Sequence, residues 1–106
     1  MSIEAGATII VYLSSPREQI FGRLLTISGS GVTIRGITLA SVDDWLRELV
    51  QGVEDDEASF GLATTFYPMH RIEKIVLDEP SPGVPSIQDR FRHRTGGPFA
   101  DYIERT

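Results

Sequence analysis

"QIFGRLLTISGSGVTIRGITL", residues 19–39, reads as two β-strands closed by a tight turn. In the first, Phe21, Leu25 and Ile27 alternate with Ile20, Leu24 and Thr26; the second, residues 32–39, is rich in β-branched residues. The Ser-Gly-Ser-Gly between them suits a short hairpin connection. Gly22 and Gly36 interrupt the two strands, and a glycine inside a strand marks a bend or a close backbone approach. Upstream, "ATIIVYL" (residues 7–13) forms a further strand, with Ile9, Val11 and Leu13 on one face and Ile10 and Tyr12 on the other. Pro16 in "SSPRE" turns the chain between the first two strands. Three strands joined by short turns predict an antiparallel meander.

The hydrophobic period then changes. Val42, Trp45, Leu46, Leu49 and Val50 stand at i, i+3, i+4, i+7 and i+8, the stripe of an amphipathic helix. Ser41 is placed to cap it, with Asp44 at the capping-box position and Gly52 as the stop. "VEDDEASFG" (residues 53–61) reads as an acidic loop, and two more strands follow at residues 64–69 and 71–77. "DEPSPGVPS" is a proline-rich, extended linker. Ser86 and Asp89 then form a capping box for a short helix whose apolar pair is Ile87 and Phe91. Phe99, Tyr102 and Ile103 repeat at helical spacing in the tail, which docks on the body of strands it follows, here expected to be a barrel, or on a neighbouring subunit, or frays.

The totals bound the class. With 106 residues, the chain holds one modest core. It has no cysteine, which removes disulfides, thiolate nucleophiles and thiolate metal sites together. No apolar run approaches a membrane span, and the acidic "MSIEAGATII" start lacks the basic residues of a signal peptide, so the expectation is a cytoplasmic protein without membrane contact. The net charge is −5, but residues 41–57 alone hold seven acids against Arg47, leaving the rest almost neutral. No basic block of the kind that neutralises many phosphates is present.

Five short strands, three then two, with glycine bends, predict a small, strongly bent β-barrel. The elements "VYL…FGRLL…GVTIRGITL", with Gly22 and Leu24 as a Gly-x-Leu, resemble the first motif of the Sm-like family. "FYPMHRIEKIVL" is similar to its second motif, and His70 falls near the histidine of the Tyr-Lys-His signature of the family's bacterial RNA chaperone. The resemblance implies a mainly β, five-stranded SH3-like/Sm-like barrel over residues 1–79. A helix-loop insertion at residues 41–60 would separate strands three and four, and residues 80–106 would be linker and helical tail. It also implies homo-oligomeric rings in which strand four of one copy pairs with strand five of the next, making Thr65, Phe66 and Tyr67 interface residues. The chain departs from the family at Ser28 (usually acidic), at Val32 (asparagine in eukaryotic members) and at Met69 (the signature lysine). The family's N-terminal helix has no counterpart, because the first strand begins so close to Met1.

Candidate chemistry is sparse. His70 reads as a structural residue bonding the backbone at the strand corner, as an RNA or ligand contact together with Arg71, or as a catalyst with no partner signature. "DRFRHR" sets Arg90 and Arg94 one helical turn apart with Arg92 between them. This patch suits phosphate, an acidic partner or the acidic loop, or is a solvated helix face. Two separated histidines do not make a zinc site, and "EDDE" lacks the ligand alternation of a calcium loop. The glycines of "GSGVTIRG" precede a strand rather than a helix, so no phosphate loop is read. Trp45, inside the apolar stripe, is expected in the core. The expectation is therefore a non-catalytic assembly or regulatory module that binds protein, without metal or cofactor. The alternative is an RNA-binding ring that takes single-stranded RNA.

Overall fold

The computed structural model describes residues 3–50 and 62–105; the expected helix stop at Gly52 and the acidic loop lie outside them. Five antiparallel strands form one sheet: β1 (Thr8–Leu13), β2 (Glu18–Ser28), β3 (Gly31–Thr38), β4 (Ala63–Pro68) and β5 (Ile72–Leu77). Three helices accompany them: α1 (Val42–Val50), α2 (Ile87–Thr95) and α3 (Phe99–Arg105). The fold is mainly β, and the helix between the third and fourth strands and the helical tail stand where the sequence puts them.

The strand order is β4-β3-β2-β1-β5, so the consecutive strands β4 and β5 occupy opposite edges. Only the 3-10 turn Met69–Arg71 joins them. In a flat sheet, four strand spacings would hold the edges roughly 19 Å apart. A three-residue 3-10 turn advances about 6 Å. The sheet must therefore curl until its edges approach at that end. It does not close: among the described residues β4 pairs only with β3, and β5 only with β1. The expected barrel is an open, bent sheet.

The bend needs close backbone packing, which the two strand glycines supply. Gly22 and Gly36 lie directly opposite one another in the β2–β3 ladder. A Cβ on Gly22 would collide with the Arg35 carbonyl and lie 2.6 Å from Gly36 Cα; one on Gly36 would collide with the Phe21 carbonyl. Further along β2 the register shifts between Leu24 and Thr26, leaving Leu25 as the extra residue of a bulge. This corrects the simple alternation. Leu24 pairs with Ile34 and Ile27 with Val32, so Leu24 and Ile27 share a face instead of opposing each other.

The two faces carry separate cores. The concave face gathers Ile9, Val11, Leu13, Ile20, Leu24, Val32 and Ile34, with Tyr67 of β4 and Ile72, Ile75 and Leu77 of β5 packed against them. Every strand contributes, as the inside of a curled sheet requires. The convex face presents Ile10, Phe21 and Ile37, neighbours in a row across β1, β2 and β3. Helices cover that row: Val42, Trp45 and Leu46 from α1, Ile87 and Phe91 from α2, Phe99 and Ile103 from α3. The tail thus docks on its own sheet, and Trp45 is a core residue, 2% exposed.

Capping follows the sequence at α2 and departs from it at α1. Ser86 and Asp89 form the expected capping box, and Gly96 ends the helix in the left-handed region at φ 84°. Ser41 instead ends a 3-10 turn, Leu39–Ser41, and its hydroxyl bonds that of Thr38 at 2.9 Å. Asp44 pairs with Arg47 at 2.8 Å on the exposed face.

Because the Gly22–Gly36 contact leaves no space for a side chain, Gly36→Val should cost about 3 kcal/mol or prevent folding. Gly29→Ala, with nothing within 4 Å of the new Cβ, should stay within about 0.5 kcal/mol of wild type. Urea denaturation of the two variants checks the contrast.

Candidate functional site

The β4–β5 corner is built by backbone ties to two other turns. Pro68 is extended and cannot donate to a ladder, so β4 ends there. The next N–H, that of Met69, donates to Ser30 O at 2.8 Å and fixes the corner against the β2–β3 turn. Ser14 N donates to Arg71 O at 2.8 Å, which fixes it against the β1–β2 turn as well.

His70 and Arg71, adjacent in sequence, are used differently. Arg71 points inward over the β1–β2 turn: Nε donates to Ser14 O at 3.0 Å and Nη2 to Pro16 O at 2.8 Å. The same Nη2 meets Glu18 Oε1 at 3.4 Å. A planar guanidinium suits this multiple attachment, and its fork is engaged within the chain. His70 is exposed, and among the described residues its ring makes no hydrogen bond. The backbone contact expected of it at the bend is not formed, because Met69 and Arg71 supply the ties that hold the corner.

Along β4, register sorts the three expected interface residues. Phe66 pairs with Thr33 on the convex face, beyond the helical cover, and is 53% exposed. Thr65 and Tyr67 face the concave side and are half-buried. Burial, and next the Glu18 carboxylate, push the Tyr67 phenol above its ordinary value; a hydrogen bond with Thr65 and the Arg71 charge pull the other way.

The arginine patch lies on α2, in the helical layer, not at the corner. Arg90 forms an ion pair with Asp43 of α1, so its partner is the first turn of that helix. The bonded Arg90 guanidinium holds the Asp43 carboxyl below the ordinary aspartate range. Desolvation opposes this, and the charges of Arg47 and Arg94 add smaller contributions to the lowering. Arg92 and Arg94 are exposed in the last turn of α2. The structure therefore does not bring the two sequence-selected groups, His70–Arg71 and Arg90–Arg92–Arg94, into one site.

An open groove of about 410 Å³ is lined by Arg17, Glu18, Gln19, Thr38, Leu39 and Ala40. It lies where β3 leaves the sheet and β2 continues past its last partner, Thr38. Its lining holds a cation, a carboxylate and amide or hydroxyl groups, but no histidine, cysteine or lysine. Among the described residues, no group of three His, Cys, Asp or Glu side chains converges to hold a metal ion. No helix among them is long and apolar enough to cross a membrane.

Two residues that sequence reasoning missed organise these surfaces. Glu18 both receives Arg71 and raises the Tyr67 phenol. Asp78, buried at the end of β5, accepts from the N–H groups of Ile87 and Gln88 at 2.8 Å each. In sequence Asp78 is one of two adjacent acids opening a polar linker, and nothing there separates it from Glu79.

The raised Tyr67 phenol gives a directed pH test. The folded chain favours the neutral ring, so this contribution to stability is complete below about pH 10. It is lost as pH rises through the higher folded value. An NMR titration of the Tyr67 ring should show ionisation later than for an ordinary phenol, and earlier in Glu18→Gln than in wild type. A Tyr67 that titrates at the ordinary value in both proteins would contradict the assigned surroundings.

Comparison with protein-family models, with curated proteins and with solved structures found no match.

Proposed function

We propose that the chain is a non-catalytic assembly or regulatory module of the Sm-like, SH3-type small-barrel class, whose copies join through their sheet edges and which binds protein partners. The observation that carries this reading is the outer edge of β4, which has no partner strand among the described residues. Edge strands are ordinarily blunted by charges, prolines or bulges, because unpaired N–H and C=O groups recruit other strands. β4 has no charged residue, its one proline stands at its end, and Phe66 lies exposed upon it. The opposite edge, β5, is the same six residues long and bears Glu73 and Lys74. An unguarded edge and a different free edge on one chain suit head-to-tail pairing, which closes into a ring when the rotation allows.

A second reading, an RNA-binding ring, draws on the exposed His70 beside the β2–β3 turn. It is the weaker of the two, because Arg71, the cation next to it, is engaged by Ser14, Pro16 and Glu18.

Light scattering tests the first reading. Wild type should have a mass that is a multiple of 11.7 kDa. Phe66→Lys, which places a guarding charge on the β4 edge, should give a folded monomer. A wild type that stays strictly monomeric at high concentration overturns edge pairing. Labelled U-rich and A-rich single strands, titrated at low salt, separate the second reading. Micromolar, salt-sensitive binding that His70→Ala abolishes would replace the protein-binding role with RNA binding.

A further inference from the structure

The two tail helices are anchored in different ways. All four N–H groups that open α2 have partners, a requirement helix starts often leave to water. Ile87 and Gln88 donate to the Asp78 carboxylate at 2.8 Å each, Asp89 to Ser86 Oγ at 3.0 Å, and Ser86 to Asp89 Oδ2 at 3.3 Å. Asp78 is only 8% exposed, and its own N–H donates to Thr8 O at 3.0 Å. The start of α2 is therefore clamped to β1 and to the end of β5.

α3 packs on the helical layer through its apolar side chains. Phe99 and Ile103 are buried and Tyr102 is half-buried. An ion pair to the sheet, Arg23–Glu104 at 3.6 Å, is half-buried at Arg23 and exposed at Glu104, and a pair of this kind contributes little. A helix of seven residues has no stability apart from its packing. It follows Gly96, in the left-handed region, then Gly97 and Pro98, a joint able to change direction.

What α3 covers is aromatic. The Phe99 ring centroid lies 5.1 Å from that of Phe21, 5.5 Å from Phe91 and 6.0 Å from Trp45. Among the described residues Trp45 has four aromatic neighbours, and two of them, Phe99 and Tyr102, belong to α3. Its Nε1 is the one buried side-chain polar atom without a hydrogen-bond partner among the described residues. A buried donor left unpaired destabilises the packed arrangement around Trp45.

We infer that α3 is a lid that opens about the joint at residues 96–98 while α2 stays clamped by Asp78, uncovering an apolar surface formed by Phe21, Trp45 and Phe91. The device belongs to the helical layer and is independent of how the sheet edges pair.

Amide hydrogen exchange on the full-length chain tests it, read together with acrylamide quenching of Trp45, the one tryptophan. Protection of the Tyr102, Ile103 and Glu104 amides should be at least about tenfold lower than that of Phe91 and Arg92 in α2. Ile103→Ala should widen the gap and raise Trp45 quenching while leaving α2 protection unchanged. Equal protection of the two helices in wild type overturns the lid, and so does Ile103→Ala accelerating both by the same factor. Weak α3 protection with Trp45 inaccessible to acrylamide is fraying of the chain end and overturns it too. The wild-type comparison decides alone if the variant fails to fold.

Discussion

Strands β4 and β5 stand at opposite edges of a five-stranded sheet and are joined by three residues. That connection is the constraint on which the rest of the molecule depends. It forces the sheet to curl, and curling a sheet brings backbones together where it bends most. At Gly22 and Gly36 the β2 and β3 backbones come too close for any Cβ. The hydrogens of two glycines, set opposite each other, are what the chain uses to satisfy a geometric demand made by a turn more than thirty residues away.

Curling also makes the two faces unequal. The concave face buries its own side chains against each other, with all five strands contributing, and needs no further layer. The convex face cannot do this. Ile10, Phe21 and Ile37 diverge outward and require a cover, which α1, α2 and α3 provide through Trp45, Phe91 and Phe99. Burial of such large aromatic groups is where this small chain finds its second core. The polar work is done at the margins: Asp78 clamps the start of α2, Arg71 clamps the β1–β2 turn, and Asp43–Arg90 ties α1 to α2. Among the described residues the edges of the sheet remain open, and they are the surfaces on which the proposed assembly rests.

Much of this was legible in the residues. The split of Ile9, Val11 and Leu13 from Ile10 and Tyr12 reports the two faces directly, because strand side chains alternate. Gly22 and Gly36 announced the bend, Ser86 and Asp89 the start of α2, and the i, i+3, i+4 stripe put Trp45 in the core. Local rules captured these features because local chemistry decides them. The bulge at Leu25 escaped, since an extra residue in one strand has no signature except the partner strand it faces. Asp78, and the structural role of Arg71, escaped for a similar reason: each acts on backbone groups brought near only by the fold. His70 drew attention as the lone histidine of a strand corner, yet the corner is held by neighbouring backbone groups and the Arg71 side chain. The strand pattern and the family resemblance set an expectation of closure, whereas among the described residues β4 pairs only with β3 and β5 only with β1.

The central claim is that one bent sheet separates two cores, and nuclear Overhauser contacts in methyl- and aromatic-labelled protein test it most directly. The account expects contacts from Ile10 and Ile37 methyls to the rings of Trp45 and the phenylalanines around it. It expects separate contacts from Leu13 and Val32 methyls to Ile72 and Ile75, with none linking Leu13 or Val32 to Trp45. Contacts from Val11 or Ile34 methyls to the Trp45 ring would put both sets of side chains in one core and contradict it.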